Sequence, residues 1–77
     1  MKMELGCIRP GMVMTVTKIP AGSMGDRLRQ FGFSVGTMVR CRYARRNLIA
    51  LEWLGTAVAI RRGDLKGFEA RVEPWKN

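Results

Sequence analysis

The feature that most constrains this chain is the shortness of its apolar segments, each of which is soon interrupted by glycine or proline. Such segments, rich in β-branched residues or alternating apolar with polar residues, are typical of short β-strands. Five of them are predicted, at residues 12–19, 37–44, 48–53, 56–61 and 68–73. Five short strands and one helix cannot cover both faces of an open sheet. We therefore expect a mainly β fold in which the sheet closes into a small five-stranded barrel.

One short α-helix, about residues 24–31, is predicted between the first two strands. Ser23 is placed to cap the helix N-terminus with its side-chain oxygen, and Asp26 lies at the acidic position of a capping box. Gly32 is expected to end the helix in a left-handed conformation. Three apolar side chains at helical spacing are expected to share one face: Met24, Leu28 and Phe31.

Apolar and charged residues alternate strictly in the strand at residues 37–44, which predicts one solvent-exposed (wet) face and one inward face. Arg40 and Arg42 belong to the wet face. The inward face is expected to carry Val39, Cys41 and Tyr43. The next two strands form a predicted hairpin whose tight turn places Gly55 at positive φ.

The chain is expected to form a single domain over residues 1–77, because 77 residues suffice for one small core. Residues 63–67 are predicted to form one turn of helix between glycines. The ends, residues 1–6 and 74–77, are expected to be loosely ordered.

The chain carries 14 Lys and Arg against 6 Asp and Glu, a formal net charge of +8. This excess favours polyanions, acidic protein faces or anionic membrane surfaces as partners. Solubility alone is the other explanation for such a charge. Six arginines could converge into one basic patch for partner binding or could be scattered solvated positions: Arg40, Arg42, Arg45, Arg46, Arg61 and Arg62.

Catalysis is not expected, because the chain has no histidine and its six carboxylates are spread among turns and wet strand positions. No glycine-rich phosphate loop is present, and we expect no catalytic residue, no cofactor and no metal site. The six methionines could bind Cu(I), but core filling is favoured. Cys7 and Cys41 are expected to be partly buried, reduced thiols. The apolar runs are too short for a signal peptide or a membrane span, which predicts a soluble, cytoplasmic protein without membrane insertion.

The chain resembles the FeoA family of ferrous iron transport accessory proteins from about Ile8 to Val72. Its most specific segment is Arg27-Leu28-Arg29-Gln30-Phe31-Gly32-Phe33-Ser34-Val35-Gly36, followed by Thr37-Met38-Val39. Further matching segments are Pro10-Gly11, residues 55–62 and Asp64-Leu65. One departure is the short basic loop at residues 44–47, where the family commonly has proline and glycine.

The resemblance implies an SH3-like barrel, a fold also similar to the C-terminal module of iron-dependent repressors. It also implies a cytoplasmic partner, FeoB, the membrane permease with a GTPase domain that imports Fe(II). The motif residues that it implies to be structural are Gly11, Arg27, Leu28, Gly32, Gly36, Val39 and Gly55.

The leading hypothesis is a non-enzymatic regulatory protein of ferrous iron uptake that docks onto FeoB and has no small-molecule substrate. The first alternative is a nucleic-acid-binding barrel in which Tyr43 or Trp53 stacks on bases. The second alternative is a metal-sensing module. Self-association stays open.

Overall fold

The computed structural model describes residues 2–73, which form six β-strands and one α-helix. The elements are, in chain order, β1 (Lys2–Glu4), β2 (Val13–Lys18), α1 (Ser23–Arg29), β3 (Met38–Ala44), β4 (Leu48–Trp53), β5 (Thr56–Arg61) and β6 (Glu69–Val72). Two 3₁₀-helices, Leu5–Cys7 and Arg62–Leu65, follow β1 and β5. All strand pairs are antiparallel, in the order β1-β6-β2-β3-β4-β5.

The five predicted strands are all present, but the structure adds a sixth at the N-terminus. We expected residues 1–6 to be a loosely ordered end, but residues 2–4 form a strand and a 3₁₀-helix begins at Leu5. Lys2 pairs with Arg71 and Met3 with Ala70, so β1 lies along β6. Leu5 is completely buried, and its N–H donates to Phe68 O at 2.9 Å. Burial of one large apolar side chain holds this end in place. The predicted loose end at 74–77 lies outside the described residues.

The predicted class, a mainly β SH3-like fold with one short helix, is confirmed. The predicted closure into a five-stranded barrel is not found in residues 2–73, because the sheet there has six strands and is open. Within residues 2–73 the hydrogen-bonded ladder is continuous from β1 to β5 and has no pairing between those two edge strands. The two 3₁₀-helices contact each other across the gap between the edges. The Arg62 side chain also crosses it, because its Nη1 donates to Gly6 O. The gap is therefore spanned by the two 3₁₀-helices and by this hydrogen bond.

The core is a single cluster of apolar side chains between the sheet and α1. Its largest members are Trp53, Phe33 and Phe68, each at most 2% exposed. The Phe33 ring meets Trp53 edge-on with centroids 5.0 Å apart and Phe68 at 6.1 Å, a favoured aromatic geometry. Trp53 Nε1 donates to Phe31 O at 2.9 Å, which satisfies the indole N–H inside the core.

The helix is shorter and differently capped than predicted. It spans Ser23–Arg29, Gly22 is the cap residue with φ +137°, and no side chain caps the N-terminus, so the Ser23 cap prediction is wrong. Asp26 Oδ1 instead accepts from Arg29 Nη1 at 3.2 Å. Gly32 has φ +84°, as predicted for the helix stop. Phe31, beyond the last helical residue, is 56% exposed and does not share the buried face of Leu28.

A β-bulge changes which side chains of β3 face inward. Cys41 pairs with Leu51, but Tyr43 pairs with Ala50, so one extra residue lies between the two pairs. A bulge reverses the alternation beyond it. Tyr43 is consequently 41% exposed, and the prediction that it points inward is wrong.

The hairpin between β4 and β5 confirms the prediction for Gly55, whose φ is +79°. Leu54 beside it also has a positive φ, +47°, which makes the connection a two-residue type I′ turn. The predicted helical turn at 63–67 is the 3₁₀-helix Arg62–Leu65.

Candidate protein-docking surface

The outer face of β3 and the residue that follows it carry a row of exposed side chains, which we call the basic face: Arg40, Arg42, Tyr43 and Arg45. Alternation places Arg40 outward, because Val39 and Cys41 are both 1% exposed. The bulge then brings Arg42 and Tyr43 to the exposed side in succession. From Arg40 to Arg45 this row extends about 15 Å along the strand.

One carboxylate is built into the basic face. Glu52 lies in register with Arg40, and its Oε2 is 3.6 Å from Arg42 Nη1. Both side chains of this ion pair are exposed enough that it contributes only about 0.2–1 kcal/mol. With three arginines against one glutamate the face stays positive, which suits carboxylates or phosphates as partners.

Tyr43 supports the end of the basic face. The Arg45 guanidinium lies over the Tyr43 ring, 5.5 Å from its centroid, a cation–π geometry. This contact orients Arg45 on the same side of the sheet as Tyr43.

Arg61 and Arg62, adjacent in sequence, have different surroundings. Arg61 ends β5, is exposed, and lies in register with Leu48, whose carbonyl accepts from Arg45 N–H at 2.7 Å. Arg61 and Arg45 therefore flank Leu48 at one end of the sheet. Arg62 instead uses its side chain internally: Nε donates to Arg45 O and Arg46 O, and Nη1 donates to Gly6 O.

The six predicted partner-binding arginines are thus distributed over four settings, one of which is the internal position of Arg62. Arg40, Arg42 and Arg45 share the basic face, and Arg61 adjoins it. Arg46 is exposed in the β3–β4 loop and its carbonyl accepts from Arg62. Sequence reasoning could not separate Arg62 from the others, because its three acceptors lie far from it in the sequence.

Apart from Arg27, the residues of the FeoA-like motif lie in turns and in the core. Leu28 and Val39 are at most 3% exposed, whereas Arg27 is exposed on α1. Four of its glycines have positive φ, at Gly11, Gly32, Gly36 and Gly55.

The two cysteines and the described methionines lie in different surroundings. Within residues 2–73 there is no group of three or more His, Cys, Asp or Glu that could hold a metal ion. Cys41 is buried, burial raises the pKa of its thiol, and the nearby Arg62 charge opposes that shift only in part. Cys7 is exposed, contrary to the expectation of partial burial. Met14 fills the core, but Met38 is 57% exposed and does not.

Trp53 is excluded as a stacking surface for nucleic-acid bases. It is 2% exposed and packs in the core, so of the two aromatic residues considered only Tyr43 is accessible. Among the described residues, no helix has the length and apolar character needed to cross a membrane.

These features define a class of protein: a small SH3-like β domain with a positively charged outer face. No protein-family model and no curated protein sequence matches the chain. Solved structures do match it. A crystal structure of the iron uptake regulatory protein FeoA superposes with a TM-score of 0.85 and 21% sequence identity, covering 95% of this chain and 100% of that one.

Two further solved structures share the fold. An FeoA-like protein from Clostridium acetobutylicum has a TM-score of 0.82 and 18% identity, covering 99% of this chain and 92% of that one. A manganese-dependent transcriptional repressor has a TM-score of 0.83 and 17% identity, covering 94% of this chain but 41% of the repressor. The fold resemblance to FeoA and to a module of metal-dependent repressors is therefore confirmed.

Proposed function

We propose that this chain is a non-enzymatic accessory protein of ferrous iron uptake that docks, in the cytoplasm, onto an FeoB-type GTPase-permease. The observation that carries the proposal is the superposition with FeoA, which extends over the whole of that chain. The repressor likeness covers less than half of the repressor, so it supports a shared module only.

The basic face supports docking onto an acidic protein surface. Arginine guanidinium groups form charge-assisted hydrogen bonds with carboxylates, and a positive surface accelerates encounter with a negative one. Regulation of a GTPase cycle by such a domain requires only that it bind two states of the partner with different affinity.

The test is a calorimetric titration of the full chain against the cytoplasmic domains of the FeoB-type permease of the same organism. It is run without nucleotide, with GDP and with a non-hydrolysable GTP analogue, at low and moderate salt. We expect saturable binding that weakens as salt rises, because exposed charges are screened.

Charge reversal locates the contact. We expect the double variant R40E/R45E to bind at least about tenfold more weakly, since each lost charge-assisted bond is worth about 1.5–3 kcal/mol. The matched control is K2E/K66E, which reverses two exposed charges away from β3. Absence of binding by the unaltered chain in every nucleotide state refutes the proposal, and equal weakening by both double variants places the contact elsewhere.

A second candidate, nucleic-acid binding, is favoured by one observation: exposed Tyr43 stands among three exposed arginines. Base stacking on Tyr43 and phosphate contacts from the arginines predict steeply salt-dependent affinity for single-stranded RNA or DNA. Tyr43→Ala is expected to reduce this affinity about tenfold or more. No binding to mixed-sequence oligonucleotides at low salt eliminates this candidate.

A further inference from the structure

The outer edge of β5 is the longest open edge of the sheet. In the ladder formed by residues 2–73, β5 pairs with β4 on one side and with no strand on the other. It has six residues, whereas β1 at the opposite edge has three. An open edge offers a row of backbone donors and acceptors to another chain.

The register identifies which backbone groups point outward. A two-residue type I′ turn makes its flanking pair, Trp53 with Thr56, a hydrogen-bonded pair. At the far end of the same ladder, Arg62 N–H donates to Asn47 O. Alternation from both ends directs the backbone of Thr56 and every second residue toward β4. The outward groups are therefore the N–H and C=O of Ala57 and Ala59 and the N–H of Arg61, whose carbonyl belongs to the N-cap of the following 3₁₀-helix.

This edge lacks the features that usually block strand addition. It contains no proline or lysine, and its register with β4 runs without a bulge, whereas bulges interrupt both the β3–β4 and β2–β6 pairs. Ala57 and Ala59 are exposed and small, so their side chains present no steric barrier to a neighbouring strand. In a β-sheet such a strand would lie about 4.8 Å from β5.

The space beside the edge is shaped for alternating side chains. A groove of about 280 Å³ lies between α1 and β5, and Met24, Phe31 and Val58 contribute apolar atoms to its wall. Alternate residues of an added strand would enter this groove, and the others would lie on the outer face of the sheet. That outer face carries Arg61 on β5 and the arginines of the basic face beyond it.

We propose that an extended acidic segment of a partner protein adds as a strand to the outer edge of β5. Its backbone pairs with Ala57, Ala59 and Arg61, its apolar side chains enter the groove, and its carboxylates face Arg61. The charge of +8 selects this occupant, because a second copy of the chain would bring the same positive charge to the edge. The identity of the partner, but not the edge site itself, rests on the proposed function.

The test follows amide hydrogen exchange of the ¹⁵N-labelled chain by NMR. The probe is a short capped peptide in which glutamate alternates with valine, and the control replaces glutamate with lysine. In the free protein we expect rapid exchange at Ala57, Ala59 and Arg61 and slow exchange at Thr56, Val58 and Ile60. The acidic peptide slows exchange at the first three amides, and the basic peptide does not.

Variants separate the backbone contact from side-chain effects. Ala59→Pro removes one outward N–H and places a ring in the path of the added strand, but keeps the bonds to β4. It is expected to weaken peptide binding about tenfold or more. Ala59→Ser, which keeps the N–H, binds as the parent does. Arg61→Glu weakens binding of the acidic peptide, whereas Lys66→Glu does not.

Three results overturn the inference: no effect of the acidic peptide up to millimolar concentration, protection confined to other amides, or protection without peptide that grows with protein concentration. The last result would identify a second copy as the occupant. The permease cytoplasmic domains are then tested in the same way. If the peptide protects β5 but these domains do not bind, the edge site stands and the proposed function fails. If the permease domains bind and protect other amides while the peptide has no effect, the proposed function stands and the edge site fails.

Discussion

Replacing Arg62 with alanine should destabilise the fold far more than replacing Arg61, its exposed neighbour. The Arg62 side chain joins three parts of the chain, because Nη1 donates to Gly6 O, and Nε donates at 2.9 Å to Arg45 O and at 3.1 Å to Arg46 O. These bonds connect the segment after β1, the β3–β4 loop and the end of β5.

The magnitude follows from the separate bonds. Nε carries a single hydrogen, so its two acceptors share one donor and count as about one exposed bond, about 0.5–1 kcal/mol. The Nη1 bond is part-buried and charge-assisted, worth about 1.5–3 kcal/mol. Arg62→Ala should therefore cost about 2–4 kcal/mol. In a domain of this size that lowers Tm by at least about 8 °C.

Urea unfolding followed by far-ultraviolet circular dichroism measures the free energy directly. Arg61→Ala is the matched control, because Arg61 makes no side-chain hydrogen bond or ion pair with any residue in 2–73; its expected cost is below about 0.5 kcal/mol. Arg62→Lys keeps the charge but loses the several N–H donors of the guanidinium group. Its unfolding free energy should lie between those of the two alanine variants. Equal unfolding free energies for the two alanine variants would refute the structural role of Arg62.

Three further predictions concern other parts of the fold. Thiol titration in native buffer should label Cys7 rapidly and Cys41 only on unfolding, because Cys41 is buried and its pKa is raised; two equal rates would contradict this. The hydrogen bond from Thr15 Oγ1 lowers the pKa of Glu73, and Arg71 lowers it further. The ionised Glu73 side chain therefore stabilises the fold above the ordinary glutamate pKa of about 4.3, and this stabilisation is lost as the pH falls below that value. We expect Glu73→Gln to lose less stability between pH 7 and pH 3 than the parent. Leu54→Asn should raise the unfolding free energy by about 0.5–1 kcal/mol, since asparagine tolerates the φ of +47° better than leucine; a lower Tm would show that the Leu54 side chain stabilises the turn by packing.

Local sequence signals located most elements of the fold. Alternation and turn residues identified five strands, and Gly32 and Gly55 marked the helix stop and the hairpin turn, because these features depend on backbone conformation within a few residues. The same reasoning failed for β1, which is only three residues long and is held in place by β6 and by the burial of Leu5.

Only part of the candidate docking surface could be predicted from the sequence. Exposure of Arg40 and Arg42 followed from alternation, but Tyr43 joined them because a bulge opposite β4 shifts the phase of β3. A bulge arises from the pairing of two strands, so it cannot be predicted from the sequence of one strand alone.

By itself the sequence determined the class of fold, the strong positive charge and the small number of side chains suited to catalysis. These properties can be read from composition and from short-range periodicity. The tertiary structure decided which arginines are free to meet a partner and which strand edge is left open. Those properties depend on contacts between residues distant in the chain, such as Arg62 with Gly6, which no local pattern records.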